Sequence, residues 1–368
     1  MKKKKGKVLI LVPPLNSKGG IANYYSVLES HFSSDVDYCL RGTRNQGIKG
    51  IWWKEACRFF SDLHQYIIHL KSEQYRLIHI NTSLSLHSIY RDSLYIIIGR
   101  IFGIPCLPFF RGWSERAEYA VERYLSWIMR RTYFRSSDIV TLSTHSQGKL
   151  KEWGYEGKIH IETTVVDNSL LTSMSIDVVH SRESQNEFKI LFLARVEIDK
   201  GIFELIEAVT RLSEKYKNMS LILAGTGSAD EQVIQKIHHL SYVSRIGYVS
   251  GQAKIDAYLS ASVYVLPSYR EGMPNSLLEA MSFGLPVVCT GVGGIPDVIT
   301  DMKNGVIIPS HDSNAIEKAI ELLYRDRELR LKMARENYES STRFYASNVV
   351  KRLESIYDQI GNGKLRTS

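Results

Sequence analysis

Cysteine is scarce in this 368-residue sequence, with only four copies, and none of them is spaced as C-x-x-C. Neither a disulfide framework nor a zinc site is therefore predicted, and we expect reduced, packed thiols. Long apolar runs are missing as well, because the most apolar stretch, residues 94–110, is interrupted by Arg100, Gly103 and Pro105. Such a stretch is too short and too broken to predict a transmembrane helix.

Signals for export and for two common classes of ligand are also missing. The start, MKKKKGKVLILVPP, has a short apolar run and no small-residue cleavage site, so we expect a cytoplasmic protein. No helix-turn-helix, zinc or RNP pattern occurs, which argues against nucleic acid as a partner. GTGSAD, at 225–230, lacks the third glycine of a dinucleotide fingerprint, and this disfavours a nicotinamide-dependent oxidoreductase.

Positive charge is concentrated in the first half of the chain. Residues 1–185 hold 25 Lys and Arg against 17 Asp and Glu, whereas residues 186–368 hold 22 of each. A basic half suggests an anionic partner, such as a phosphorylated acceptor or a phospholipid surface, although it equally fits a charge that only maintains solubility.

Short runs of Val, Ile and Leu alternate with longer amphipathic stretches along the chain. Near-continuous apolar strands between helices predict a parallel sheet with helices on both faces. The alternation breaks between 168 and 187, where the sequence is polar and aperiodic, and we place the domain boundary there. The sequence thus predicts an α/β fold of two Rossmann-like domains, 1–180 and 186–345, facing a cleft. A C-terminal helix, 346–368, would cross back onto the first domain.

The strongest chemical signal is the segment REGMPNSLLEAMSFGLPVVCTGVGG at 270–294. Glu271 and Glu279 flank Gly-Met-Pro, which is typical of a loop entering a helix, with Pro274 in the first turn. One carboxylate before the helix and one inside it can accept hydrogen bonds from sugar hydroxyls. The free N–H groups at the start of the helix can bind a diphosphate. Two solvated glutamates on a surface helix are the ordinary explanation for such a pair.

The second signal is LARVEIDKG, where Arg195 ends a predicted strand and Lys200 precedes a predicted helix. Two fixed cations at a strand end can stabilise the charge that develops on a leaving nucleoside diphosphate without a metal. Surface charges on either side of a turn are the alternative.

Together these motifs resemble the nucleotide-binding domain of family 4 glycosyltransferases, which are retaining enzymes of the GT-B fold. The match runs in family order through residues 189–310, with R-x4-K-G at Arg195–Gly201, E-x7-E at Glu271–Glu279, and LILAGTG, RIGYVS, VLPS, GGIPDVI and NGVIIP around them. Several motifs in one order are far more specific than any one motif. The resemblance implies transfer of a hexose-type sugar from UDP or GDP to a glycan or polyprenyl-linked acceptor in cell-surface polysaccharide biosynthesis.

The resemblance also implies a role for each matching residue, and it implies no metal and no cofactor besides the nucleotide-sugar donor. Arg195, Lys200 and Glu271 would carry catalysis, with both cations on the diphosphate and the carboxylate on the transferred sugar. Glu279 would bind the ribose hydroxyls. The other donor-binding positions are Gly272, Met273, Pro274, Asn275 and Ser276 beside the sugar and phosphates, and Gly247 and Val249 beside the base.

The first domain matches the family less closely. Gly19 and Gly20 resemble the family's Gly-rich first loop and would approach the donor, although a Gly-Gly pair more often just makes a turn. Where the family usually has His-Gly, this sequence has Arg111 followed by glycine. Arg111 stays protonated and cannot act as a base, so it would bind a phosphate or the acceptor, or pair with a carboxylate.

Polar residues in and after the strand RLIHI give further candidates. Asn81 and Arg91 would shape an acceptor pocket, although loop polarity alone explains them. His79 lies inside the strand and is predicted to be a packed core histidine.

A basic and aromatic stretch favours contact with an anionic membrane surface. Arg116, Arg123 and Arg130 recur every seven residues in the predicted helix 115–135, which also holds Trp127, and IWWKEACRFF at 51–60 adds two Trp and two Phe. Such surfaces can dock on anionic lipid. The alternative is that the aromatics are core and the arginines form a solvated face, so a peripheral position at the inner face of the plasma membrane stays open.

Two function classes therefore remain. One is the transferase. The other is a non-catalytic, sugar-nucleotide-binding accessory subunit, which the missing His-Gly favours and the intact Arg195, Lys200, Glu271 and Glu279 disfavour.

Overall fold

The computed structural model of the chain describes residues 6–17, 19–42, 52–172, 174–181 and 187–361. The chain folds into two units, one made of Met1–Val165 with Ala346–Ser368 and the other of Val166–Tyr345. The polar segment that suggested a boundary between 180 and 186 lies within the second unit, where Asn168–Leu171 forms a short 3₁₀ helix.

The first unit contains a six-stranded parallel sheet with the strand order β2-β1-β3-β4-β5-β6. Strand β1 is apolar and almost fully buried, as expected of a parallel strand covered on both faces. The strands are β1 (Lys7–Val12), β2 (Val36–Leu40), β3 (Tyr75–Leu84), β4 (Cys106–Trp113), β5 (Asp138–Thr141) and β6 (Lys158–Ile161). The helices are α1 (Gly20–Leu28), α2 (Trp52–Ser72), α3 (Leu86–Ile101), α4 (Glu115–Ala120), α5 (Ser126–Arg131) and α6 (Thr144–Glu152), with a π-helical turn, Val121–Leu125, joining α4 to α5.

The second unit repeats this architecture with the strand order β12-β11-β10-β7-β8-β9. Its strands are β7 (Phe188–Leu193), β8 (Met219–Ala224), β9 (Val243–Gly247), β10 (Val263–Leu266), β11 (Val287–Thr290) and β12 (Gly305–Ile308). Its helices are α7 (Ile176–Ser181), α8 (Ile202–Lys215), α9 (Asp230–Ile237), α10 (Gly251–Ser260), α11 (Asn275–Ser282), α12 (Ser313–Arg325) and α13 (Arg327–Ser340).

The last helix, α14 (Ala346–Gly361), returns to the first unit, which confirms that prediction. The Arg352 guanidinium donates to the buried Glu162 carboxylate at 3.0 Å. The Tyr357 hydroxyl lies 2.7 Å from His79 Nδ1, whose Nε2 lies 3.1 Å from the Tyr25 hydroxyl. Burial, and then the charge of Arg111, lowers the pKa of His79 to about 3, so its ring is neutral and serves as a packed, hydrogen-bonded core residue.

Three of the strands were not predicted from the sequence: β2, β6 and β12. All three lie at sheet edges and are only partly buried; β2 and β6 mix polar with apolar residues, and the apolar run of β12 is only three residues long. The prediction of packed thiols is wrong for Cys57, which is exposed, whereas Cys39, Cys106 and Cys289 are buried.

Candidate donor site in the second unit

The candidate site lies where the strand order of the second sheet changes direction. From β7 the chain moves to β8 and β9 on one side and then returns to β10 on the other, so β7 and β10 are parallel neighbours. Loops at the carboxyl ends of two such strands meet at a switch point, where ligands bind in open α/β sheets. Lys200 follows β7, and Glu271 follows β10.

The structure brings these two residues into direct contact. Lys200 Nζ donates to Glu271 Oε1 at 2.7 Å, and each side chain is 11% exposed. The Ser268 hydroxyl donates to the same oxygen at 2.8 Å, and Thr290 Oγ1 donates to the Ser268 carbonyl at 2.5 Å. The carboxylate is thus held by two donors, and the ammonium keeps further N–H groups for a ligand.

Two glycines allow the backbone to close around this pair. Gly201 has φ +67°, and a Cβ there would overlap the carbonyl oxygen of Pro267. Gly293 has φ +61°, and a Cβ there would overlap the carbonyl oxygen of Glu271. Only glycine combines a left-handed conformation with such close approach, so Gly201 in R-x4-K-G fixes the turn beside Lys200.

Glu279 lies in α11 and is 7% exposed. Lys254 Nζ donates to its Oε1 at 2.7 Å, and the Tyr258 hydroxyl donates to its Oε2 at 2.9 Å. Burial, and then the Glu279 charge, raises the pKa of Tyr258 well above its ordinary value, so this hydroxyl keeps its proton and stays a donor. Sequence reasoning missed Lys254 and Tyr258, whose i, i+4 spacing on α10 was the only signal for them.

Helix α11 starts at Asn275, one residue after Pro274, which occupies the cap position without a side-chain capping bond. Its first N–H groups are therefore left for a ligand, as expected at an anion-binding helix start. The Tyr264 hydroxyl lies 2.7 Å from Ser276 Oγ and 3.1 Å from the Leu193 carbonyl, which ties the helix start to the end of β7. Met273 is buried and Gly272 half-buried in the loop before it.

The remaining donor-side predictions lie at the ends of β7 and β9. Arg195 is exposed, and its side chain forms no ion pair or hydrogen bond within the described ranges. Gly247 ends β9, and its carbonyl accepts a hydrogen bond from Gly225 N at 2.6 Å, while Val249 follows in the next loop. Arg195 is therefore available to a ligand, and its role stays a prediction.

The candidates in the first unit occupy different environments. Gly19 and Gly20 are exposed at the start of α1, where Gly19 is the cap residue. Asn81 is buried and donates to the Leu11 carbonyl at 3.1 Å. Arg91 Nε donates to the buried Asp92 at 2.6 Å. Asn81 and Arg91 thus have partners inside the unit, and their acceptor role stays a prediction.

Burial would by itself raise the pKa of Asp92, but the guanidiniums of Arg41 and Arg91 lower it below its ordinary value. This buried carboxylate is therefore ionised and holds both arginines in place.

Arg111 lies near the end of β4 and is clamped by aromatic rings. Its guanidinium carbon lies 3.7 Å from the ring centroid of Tyr24 and 4.4 Å from that of Phe109. It is half-buried, and within the part of the chain that the structure describes no carboxylate forms an ion pair with it. The charge is therefore held in a fixed position without a counter-charge.

No cluster of three or more His, Cys, Asp or Glu side chains that could hold a metal ion occurs among the residues described. Across the same residues, the helices are all too short or too polar to cross a bilayer.

Comparison with solved structures defines the fold. The chain aligns with sucrose-phosphate synthase from Thermosynechococcus elongatus with a TM-score of 0.75 and 17% identity, covering 98% of this chain and all of that one. It aligns with HepE of Anabaena in complex with UDP-glucose at a TM-score of 0.68 and 16% identity, covering 96% and 100%. The protein therefore has the GT-B fold, as predicted.

Comparison with families and curated relatives is more specific. Residues 176–340 match the family described as Glycosyl transferases group 1, so this part of the chain is similar to that family. The chain is 29% identical over 227 residues to the capsular polysaccharide biosynthesis glycosyltransferase CapM of Staphylococcus aureus, covering 60% of this chain and 58% of CapM. It spans about half the length of the curated relatives it matches. Placement in family 4 within this group stays a prediction.

Proposed function

We propose that the protein is a retaining glycosyltransferase that takes a hexose-type sugar from UDP or GDP without a metal ion. The observation that carries the proposal is the Lys200–Glu271 pair at the switch point of the second sheet. Lys200 and Arg195 would neutralise the diphosphate, while the free N–H groups at the start of α11 bind its oxygens. HepE, which has the same fold, holds UDP-glucose, and this supports a nucleotide sugar as the donor.

We propose that each of the two carboxylates binds one sugar ring of the donor. Glu271 would accept a hydrogen bond from a hydroxyl of the transferred hexose, and Glu279 from the ribose, since charge-assisted bonds of this kind are strong and directional. During transfer the bond from the anomeric carbon to the diphosphate breaks. A bond from the same face to the acceptor oxygen forms, and the acceptor proton leaves with the diphosphate. The cations make that diphosphate a better leaving group.

The acceptor is proposed to be a glycan or a polyprenyl-linked glycan in cell-surface polysaccharide biosynthesis. The similarity to CapM supports this pathway. A non-catalytic, nucleotide-binding subunit is the second candidate, because Arg111 stands where the family usually has His-Gly.

A thermal-shift panel of UDP, GDP, ADP and their sugars in the presence of EDTA tests the donor site. We expect one base to raise Tm by several degrees, since a ligand at 100 times its Kd stabilises by about 2.7 kcal/mol. With that donor and an acceptor glycan, nucleotide should then be released while EDTA is present. No shift with any nucleotide would contradict the donor site. Binding without transfer to a set of lipid-linked glycans would favour the accessory subunit, and a need for added Mg²⁺ would contradict the metal-free mechanism.

Arg111 is proposed to bind an anionic group of the acceptor, such as a phosphate. We expect Arg111→Met to raise KM for a phosphate-bearing acceptor roughly 10–100-fold, because hydrogen bonds to charged groups are worth about 1.5–3 kcal/mol. Initial rates measured against acceptor and donor concentration separate the two sites, and the donor KM should stay unchanged. Arg111→Lys keeps the charge but loses the planar fork, so a partial loss is expected. Equal acceptor KM values for Arg111→Met and the wild type would contradict this role.

A further inference from the structure

The C-terminal half of helix α3, residues 94–101, is largely apolar on both of its faces, yet only one face is covered within the first unit. Its inner face packs on the sheet so closely that a Cβ at Gly99 would clash with Ile78 and Cys106. Its outer face exposes Leu94, Ile97 and Ile101, and Ile101 is 76% exposed. A helix that is apolar all round is usually buried on all sides, so the outer face is expected to meet an apolar partner.

Helix α5 continues this face beside α3. The two helices are in contact, and Arg100 Nη1 donates to the Arg131 carbonyl at 3.3 Å. Trp127 is 60% exposed, and Arg130 and Arg131 are exposed with it. Trp127 is therefore not a core residue, whereas Tyr133 of the same predicted helix is. We call the following set the α3–α5 surface: Leu94, Ile97, Arg100, Ile101, Phe102, Trp127, Arg130 and Arg131.

The charge on the α3–α5 surface has one sign. Its three charged members, Arg100, Arg130 and Arg131, are all cations. The carboxylate of Glu118, in α4, is already engaged, since Lys149 Nζ lies 3.3 Å from it and Trp113 Nε1 donates to it at 2.6 Å. The occupant must therefore offer negative charge and an apolar interior at the same time.

We propose that the α3–α5 surface docks on a bilayer that contains anionic lipid. Ile101, Phe102 and Trp127 enter the boundary between headgroups and acyl chains, while Arg100, Arg130 and Arg131 pair with lipid phosphates and keep their stems on the apolar surface. Each cation near an anionic leaflet adds to the affinity, and no spanning segment is needed.

A second copy of the chain fits the same surface less well. A two-fold dimer through this face would place the same patch on both partners and bring arginines against arginines. Like charges in contact are unfavourable, whereas lipid phosphates complement every cation of the surface.

Flotation of the full chain with vesicles tests the proposal. The vesicles are phosphatidylcholine with or without phosphatidylglycerol, at low and at high salt. We expect the wild type to float with phosphatidylglycerol vesicles only, and less at high salt because screening weakens the attraction. Arg130→Gln with Arg131→Gln should weaken partitioning roughly tenfold or more, and Ile101→Ser with Trp127→Ser to a similar extent.

Helix α9 of the second unit supplies the matched control, since Ile234 and Lys236 are also exposed. Ile234→Ser with Lys236→Gln should float like the wild type. The proposal would be overturned if the wild type bound equally well to vesicles with and without phosphatidylglycerol. It would also be overturned if the variants of the α3–α5 surface bound as strongly as the wild type. A concentration-dependent dimer that the same variants dissociate, without vesicle binding, would also overturn it. Flotation is measured without a nucleotide sugar. If the protein floated with vesicles but no nucleotide raised its Tm, the result would contradict the proposed transferase and leave the membrane docking proposal standing.

Discussion

Lys200→Ala is expected to lower sugar transfer by about two to three orders of magnitude, the effect of losing one fixed donor to a developing anion. The mutation removes the cation that we propose binds the diphosphate, and it leaves Glu271 unpaired by Lys200 in a site where both side chains were 11% exposed. Initial rates at saturating donor measure the effect. The loss should be in kcat as well as in kcat/KM, because the charge on the leaving group is largest in the transition state.

The same mutation also removes one partner of a buried ion pair, so stability must be measured beside activity. Breaking such a pair costs about 3–5 kcal/mol, whereas neutralising both partners costs far less. We therefore expect Lys200→Met with Glu271→Gln to regain most of the stability in urea unfolding and none of the activity. Lys303→Ala is the matched control, because Lys303 pairs with Glu336 on the surface of the same unit. Recovery of transfer in the double variant, or normal turnover in Lys200→Ala, would contradict a role on the diphosphate.

The parts of the site that were predictable from the sequence are those whose chemistry is tied to a fixed spacing. Arg195, Lys200 and Glu271 follow central, apolar strands, and Glu279 lies one turn inside the next helix. The structure joins Lys200 and Glu271 at 2.7 Å. Parallel strands must be buried on both faces, so the positions of the central strands could be predicted from apolar runs, although β7 ends at Leu193, two residues before the predicted end at Arg195. The carboxyl ends then marked where ligand-binding side chains would lie.

The parts that could not be predicted depend on contacts between residues far apart in the chain. Lys254 and Tyr258 contact Glu279 because α10 packs beside α11. The amino-acid sequence of α10 does not distinguish these two residues from other helical residues. The exposure of the outer face of α3 could not be predicted either, since the apolar run in its C-terminal half does not indicate which side will be covered. Arg111 was recognised as a departure, but its clamp between Tyr24 and Phe109 needed the sheet to bring α1 and β4 together.

Gly293→Ala is expected to disable the site through the backbone rather than through a side chain. Gly293 has φ +61°, and an added Cβ would overlap the carbonyl oxygen of Glu271. The next residue, Gly294, donates its N–H to the Gly272 carbonyl at 2.6 Å, so the loop cannot move without pulling on the Glu271 loop. Alanine is strained at positive φ, and here it also meets a backbone atom, so we expect a loss of about 2–4 kcal/mol in the free energy of unfolding.

Gly291→Ala provides the comparison within the same segment. A Cβ there would lie 3.2 Å from a methyl group of Ile307, which can shift, and its φ is not in the left-handed region. We expect its Tm and transfer rate to stay close to those of the wild type. In Gly293→Ala, turnover measured well below Tm should fall at least tenfold even where the protein is folded, because a small displacement of a positioning group is costly. A folded Gly293→Ala variant with full turnover would show that the Glu271 loop does not depend on this contact, and Glu271 would then need another explanation for its fixed position.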